Sequence, residues 1–224
     1  MPLQNRVTPF STIEAADSRG LVMGNRGCLH DSNRVLRSQR WRTKSWIVCR
    51  LDWKNRRRPL MTPGTWTELF FLDEAVALAA GHRPCGYCRR DDYRKFLACW
   101  AAGAGWKQER PPRQPDVDAR LHADRIDRQG RQRRHNAKLD RLQDGCFVLL
   151  PDDATPDHPT PWLIQGPQLH PWSHAGYGRP VPRPAGITVS VITPASTVAA
   201  LAAGYVPLVH PSVAQSGGPV GPSP

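Results

Sequence analysis

The pair Cys85-Gly-Tyr-Cys88 constrains this chain more than any other feature. Two thiols separated by two residues close a tight knuckle and turn both sulfurs toward one point, which is half of a tetrahedral zinc site. Six cysteines occur in all, at the uneven positions Cys28, Cys49, Cys85, Cys88, Cys99 and Cys146. No stretch approaches the roughly 18 apolar residues of a membrane span, and the amino terminus lacks a basic start followed by an apolar run. The expectation is a cytoplasmic protein without membrane contact, in a reducing compartment where such spacing points to metal and away from a disulfide framework. Cys99 falls on an apolar helical pattern and Cys146 opens a strand, both settings of a buried structural thiol. The remaining zinc ligands are then to be sought among Cys28, His30 and Cys49.

Charge points to a partner. The formal net charge is +12 over 224 residues, and residues 151–224 hold two Arg against three Asp, so +13 belongs to residues 1–150. Such an excess concentrates polyanions and supplies phosphate contacts without base specificity, which makes nucleic acid, and DNA in particular, the expected partner. The 23 prolines and 18 glycines impose many turns and exclude a long helical bundle.

Along the chain, residues 1–18 show no periodicity and are expected to be unstructured. Gly20 to His30 reads as a hairpin turning at Asn25 and Gly27, and further strands are expected in Ser45–Trp53 and Thr65–Phe71. Asp73 caps a short helix from Glu74 to Ala80, ended by Gly81 and Pro84. Tyr93, Phe96, Leu97 and Trp100 lie at helical spacing after the knuckle. Residues 103–144, rich in Arg, Gln, Pro and Asp, are expected to be a basic polar connector. Strands are expected at Cys146–Leu150, Trp162–Gly166 and Ile187–Ile192, the last leading into a helix from Ala195 to Ala203. The decapeptide 75–84 aligns without gaps to 198–207, an internal echo of a strand-helix-turn unit. The predicted fold class is α+β: a zinc ribbon of β-hairpins and short helices over 19–102, the connector, a β-rich unit over 145–213 with the terminal strand-helix-turn, and a disordered tail at 214–224.

The segment 69–88, Leu-Phe-Phe-Leu-Asp-Glu-Ala-Val-Ala-Leu-Ala-Ala-Gly-His-Arg-Pro-Cys-Gly-Tyr-Cys, closely resembles the zinc-binding domain at the amino terminus of Ada-type alkylation-repair proteins. In that family a strand, an Ala-rich helix and Ala-Gly-(aromatic)-Arg-Pro-Cys-x-x-Cys place two cysteines on zinc, and Cys85 and Cys88 match them directly. The family takes its other two ligands from an upstream Cys-x-x-x-Cys. Cys49 matches the first of these, but Trp53 stands at the second, so Cys28 or His30 would have to replace it. Gly24 to His30 also resembles the strand that carries the first ligand in some of these ribbons. The order of expectation for the remaining ligands is Cys49, Cys28, His30.

Three functional readings follow. In the preferred one zinc is structural, no residue is catalytic, and the ribbon offers Arg50, Trp53, Lys54, Arg56, Arg57, Arg58, Arg89 and Arg90 to nucleic acid, cations to phosphate and Trp to bases. In the alternative, implied by the resemblance, zinc-bound Cys49 accepts a methyl group from a DNA phosphotriester, zinc keeping the thiol ionised. The incomplete acceptor motif weighs against it. A second alternative is a metal-dependent nuclease using His122 to Asp127 and His135-Asn136, residue types that hold a hydrolytic divalent ion.

Overall fold

Short apolar runs punctuated by glycine and proline become strands of two to six residues, and these assemble into two sheets joined through one buried helix. A computed structural model gives the fold of residues 2–55, 59–151 and 159–215. Arg56, Arg57 and Arg58, and the tail from 216 onward, lie outside the described residues.

The first sheet uses β1 (Gln4–Val7), β2 (Ile13–Ala15), β3 (Val22–Asn25), β4 (Ile47–Arg50), β5 (Leu69–Phe71) and, after helix α1 (Glu74–Ala79), β6 (Arg83–Pro84). Its spatial order is β2-β1-β5-β3-β4-β6, antiparallel except for the pairs β1 with β5 and β4 with β6. Helices α2 (Arg90–Gly103) and α3 (Gln114–Arg125) lead into the second sheet. That sheet is built from β7 (His135–Lys138), β8 (Phe147–Leu149), β9 (Trp162–Gln165), β10 (Gln168–Ser173), β11 (Gly176–Tyr177), β12 (Val181–Pro182) and β13 (Thr188–Val191). It runs β11-β10-β9-β8-β13-β7, with β12 also on β10, and every pairing is antiparallel. Helices α4 (Ala195–Ala202) and α5 (Ser212–Gln215) complete an α+β fold.

Two stretches differ from the expectation. Residues 1–18 hold a hairpin: β1 pairs with β2 and also enters the sheet beside β5, burying Val7, Ile13 and the polar Asn5. Its polar composition hides the pattern, because Gln4, Asn5 and Arg6 precede the one buried valine of that strand. Residues 103–144 are folded as well. α3 buries Val117 and Leu121 and packs on α4, while β7 pairs with β13 along its whole length. Few apolar residues suffice there because each is wholly buried. α2 packs chiefly on α4, and a side chain at Gly103 would place its Cβ 2.1 Å from the Ala199 carbonyl oxygen, so the crossing needs glycine.

α1 stands between two cores. All six of its residues are buried, with Ala75, Val76, Ala77 and Ala79 facing a core shared by both sheets and Leu78 entering the second, with Phe96, Trp100 and Ile164. Both copies of the sequence echo are strand, helix and left-handed glycine, Gly81 at φ +85° and Gly204 at φ +97°. The second copy returns to the first: Tyr205 Oη donates to Glu74 at 2.6 Å, and the Glu74 N–H donates to the Leu208 carbonyl at 3.0 Å. Asp73 accepts from Val76 N at 2.9 Å, Tyr177 Oη at 2.7 Å and His210 N at 2.9 Å.

Burial outweighs these donors and pushes the Asp73 carboxyl up from 3.8 to about 6. The folded chain therefore holds this proton more tightly than the unfolded chain. Asp73 makes stability fall as pH rises through about 4 to 6, by up to about 3 kcal/mol, and leaves it level above. The stability difference between wild type and Asp73→Asn, followed by urea unfolding from pH 4 to 7, is expected to shrink with rising pH; a difference that grows would contradict this placement of the carboxyl.

Candidate metal centre

β4 and β6 run parallel, with Ile47 beside Arg83 and Val48 beside Pro84. The Cys85 N–H continues that ladder by donating to the Val48 carbonyl at 2.9 Å, so Cys85 and Cys49 leave the pair side by side. The chain then turns through Gly86 and Tyr87, and Cys88 comes back toward both. Ligand atoms of Cys49, Cys85 and Cys88 all lie within 4.8 Å of one another. Among the described residues this is the one group of three or more His, Cys, Asp or Glu side chains able to hold a metal ion.

Backbone donors already favour thiolates. The Tyr87 N–H points at Cys85 Sγ at 3.4 Å, the Cys88 N–H serves the same sulfur, and the Arg50 N–H serves Cys88. As free thiols the three share protons unequally. Hydrogen bonds from Cys49 and then Cys88 hold the Cys85 thiol well below its ordinary value. Cys49 is driven far up by its bonds to Cys85 and Cys88 and by burial. At Cys88 the bond with Cys49 lowers the value, but the bond to Cys85 and burial outweigh it and raise the net.

The knuckle is anchored from behind. Arg89 is buried, its Nη2 on Glu74 at 2.8 Å and its Nε on Asp92 at 2.8 Å. Against the downward pull of burial, Glu74 holds that guanidinium above its ordinary value. Arg89, expected to face nucleic acid, instead ties the knuckle to the first turn of α1. Arg50, Lys54 and Arg90 are exposed and close in sequence to Cys49 and Cys88. Trp53 is half-buried and meets Tyr87 edge-on with ring centroids 6.0 Å apart, while Lys54 Nζ lies 5.8 Å from the Trp53 ring and 5.6 Å from the Tyr87 ring. Arg50 Cζ is 5.7 Å from the same indole. Tyr87, 56% exposed, was not among the expected contact residues; its place inside Cys-x-x-Cys was the available signal.

Cys28 and His30 lie outside the three-sulfur group. Cys28 Sγ faces the His30 carbonyl at 3.7 Å. His30 is buried with Nδ1 2.6 Å from Thr67 Oγ1 and Nε2 3.2 Å from the Thr62 carbonyl, so both ring nitrogens are engaged in holding the loop before β5. His122, Asp127 and His135 form no further metal-holding group among the described residues. Comparison of the chain with protein-family models, curated proteins and solved structures returned no match.

Three thiols fit a soft or borderline metal and disfavour magnesium or calcium, which take oxygen ligands. Thiols bind metal as thiolates, so metal binding is expected to release protons near neutral pH and apparent zinc affinity to climb as pH rises. Calorimetric titration in buffers of differing ionisation enthalpy measures the release. Zinc binding without proton release would show that these thiols are not the ligands.

Proposed function

We propose that the protein binds one zinc ion through Cys49, Cys85 and Cys88 and uses the basic, aromatic surface beside it to engage nucleic acid, most directly DNA, inside the cytoplasm. The observation that carries this reading is the convergence of three sulfurs from two separate chain segments within 4.8 Å. Sulfur-rich donor sets select zinc where copper is scarce. The arrangement is read as the zinc ribbon of the Ada-like resemblance, set within a larger sheet than that family's short hairpins require. No helix among the described residues is long and apolar enough to cross a membrane.

Arg50, Lys54 and Arg90 supply exposed cations close in sequence to the sulfurs, and Trp53 with Tyr87 offers two ring faces. Cations there meet phosphates and fix position, while the rings suit stacking on bases. Arg89 has no part in this contact, being held by Glu74 and Asp92.

One feature favours the methyl-transfer alternative. Cys49, which the resemblance makes the acceptor, is one of the three clustered sulfurs, and Cys28 and His30 leave the centre with a thiolate-rich, three-ligand set. In that reaction the O–CH3 bond of a methyl phosphotriester breaks and an S–CH3 bond forms. The phosphodiester departs as an anion and the thiolate becomes a neutral thioether. Zinc would serve to keep the sulfur ionised.

Fluorescence anisotropy with labelled duplex DNA over a salt series tests the binding reading. The triple variant Arg50→Ala, Lys54→Ala, Arg90→Ala is expected to weaken binding and lower the slope of log affinity against log salt by roughly three. No binding by the wild type, or an unchanged slope, refutes this surface. A methyl group on Cys49, found by peptide mass spectrometry after exposure to DNA bearing methyl phosphotriesters, would establish the repair reading in its place.

A further inference from the structure

Two stretches of the chain hold most of its charge. Residues 31–45 carry five cations against Asp31, and residues 120–134 carry six arginines against Asp124 and Asp127, so together they supply +8 of the net +12. A run of cations is ordinarily a solvated face. Here the fold fixes both runs and brings them together.

The first run is an ordered loop. The Arg37 N–H donates to the Leu29 carbonyl at 2.8 Å, and the Asp31 N–H closes the tip on the Val35 carbonyl at 3.0 Å. Further along, the Arg42 N–H donates to the Arg26 carbonyl at 2.8 Å, and the Lys44 carbonyl accepts from Arg125 Nη2 at 2.7 Å. The second run leaves α3 into a turn, with the Gly130 N–H on the Asp127 carbonyl at 3.0 Å and the Arg133 N–H on the Arg125 carbonyl at 2.9 Å. Trp41, half-buried, joins the two runs. Its ring centroid lies 6.0 Å from that of His122, and a Cβ at Gly130 would stand 2.8 Å from the same indole, so this contact needs glycine. A further tie runs from Gln114 Nε2, at the start of α3, to Ser45 Oγ at 3.2 Å.

The cations gathered in this way are not neutralised. Arg34, Arg37, Arg40, Arg42, Lys44 and Arg128 are exposed, and none of them forms an ion pair with a described carboxylate. The three acids of the two runs are engaged otherwise. Asp31 accepts the Asn33 and Val35 N–H groups at 2.8 and 3.0 Å, Asp124 holds Arg120 at 3.2 Å, and Asp127 holds Arg131 at 2.9 Å. Burial first, and then the charges of Arg125 and Lys44, pull His122 down from 6.5 to about 4. Like charges fixed on one face concentrate a polyanion and gain from the release of its counterions. The chemistry of the face favours nucleic acid over a lipid surface. Five of the six exposed cations are arginine, whose planar fork pairs with two phosphate oxygens at once. A membrane-seated face needs apolar side chains among its cations, and Val35 is the one exposed large hydrophobic residue of the two runs.

We infer that residues 31–45 and 120–134 form a second nucleic-acid contact, a surface for the phosphate backbone held in shape by Trp41 against Gly130. Its indole is taken up by packing, so it holds backbone without reading bases, whereas Trp53 and Tyr87 offer rings beside the thiols. The inference rests on the nucleic-acid reading above for its class of partner, and shares no residue with the surface of Arg50, Lys54 and Arg90. The two surfaces flank opposite ends of β4, with Lys44 and Arg50 separated by about 20 Å of extended chain.

Anisotropy titrations of a labelled DNA duplex over a salt series, made on the protein and on Arg37→Gln, Arg40→Gln, Arg42→Gln, Arg128→Gln in one chain, test the surface. The quadruple variant is expected to bind about tenfold more weakly at low salt and to lose roughly three to four from the slope of log affinity against log salt, equally for a duplex of scrambled sequence. An unchanged slope overturns the inference and leaves the surface beside the thiols standing. A lowered slope here with an unchanged one in the Arg50→Ala, Lys54→Ala, Arg90→Ala variant keeps this surface and removes the other. A second readout needs no variant: modification of arginine by p-hydroxyphenylglyoxal, mapped by peptide mass spectrometry, is expected to be suppressed at Arg40, Arg42 and Arg128 when duplex is added. Equal modification with and without duplex overturns the inference, as does wild-type binding to phosphatidylserine vesicles in preference to duplex at equal phosphate.

Discussion

The paired carboxylates of Asp73 and Glu74 at the start of α1 hold the rest of the structure in place. A helix of six residues is too short to persist alone, and α1 exists because both sheets close over it and because its first turn gathers donors from distant parts of the chain. Asp73 draws in Tyr177 and the His210 backbone, and Glu74 draws in Arg89, Tyr205 and the Leu208 backbone. Each carboxylate is buried and accepts several hydrogen bonds, which offset part of the cost of burying charge. Small side chains at Ala75, Ala77 and Ala79 let the surrounding elements approach the helix closely. Its exit through Gly81 then delivers His82, Arg83 and Cys85 along β4 in a fixed register.

That register creates two chemically opposite ends on one short strand pair. Trp46 and Cys49 are three residues apart, about 10 Å along a strand. At the first end, His82 and Arg83 lie beside Trp46, where positive charge collects in a dry setting. At the second, Cys85 lies beside Cys49, where three sulfurs collect. Glu74 reaches the second end through Arg89, and the Gly81 carbonyl reaches the first through Arg125. A shift of α1 would therefore disturb both.

Much of this was legible in the sequence where local signals agreed. The Asp73 cap, the Ala-rich run and the left-handed Gly81 defined α1 to within a residue, and the spacing of Phe96 and Trp100 gave α2 its buried face. The knuckle cysteines and Cys49 were readable as candidates because thiols are scarce and their spacing is chemical. What stayed hidden rests on partners remote in sequence. Arg83 and Arg89 look solvated until Asp118 and Glu74 are placed against them, and His30 looks like a ligand until Thr67 and Thr62 occupy its ring nitrogens. Residues 103–144 seemed too polar to fold, yet Val117, Leu121, Leu139 and Leu142 each land in the second core.

Zinc K-edge X-ray absorption on the purified protein tests the central claim most directly, because it counts the atoms bound to the metal. Three sulfur neighbours at about 2.3 Å with one lighter oxygen or nitrogen neighbour is the result expected from Cys49, Cys85 and Cys88. Four sulfurs, or a shell of oxygen and nitrogen alone, would contradict the three-thiolate centre.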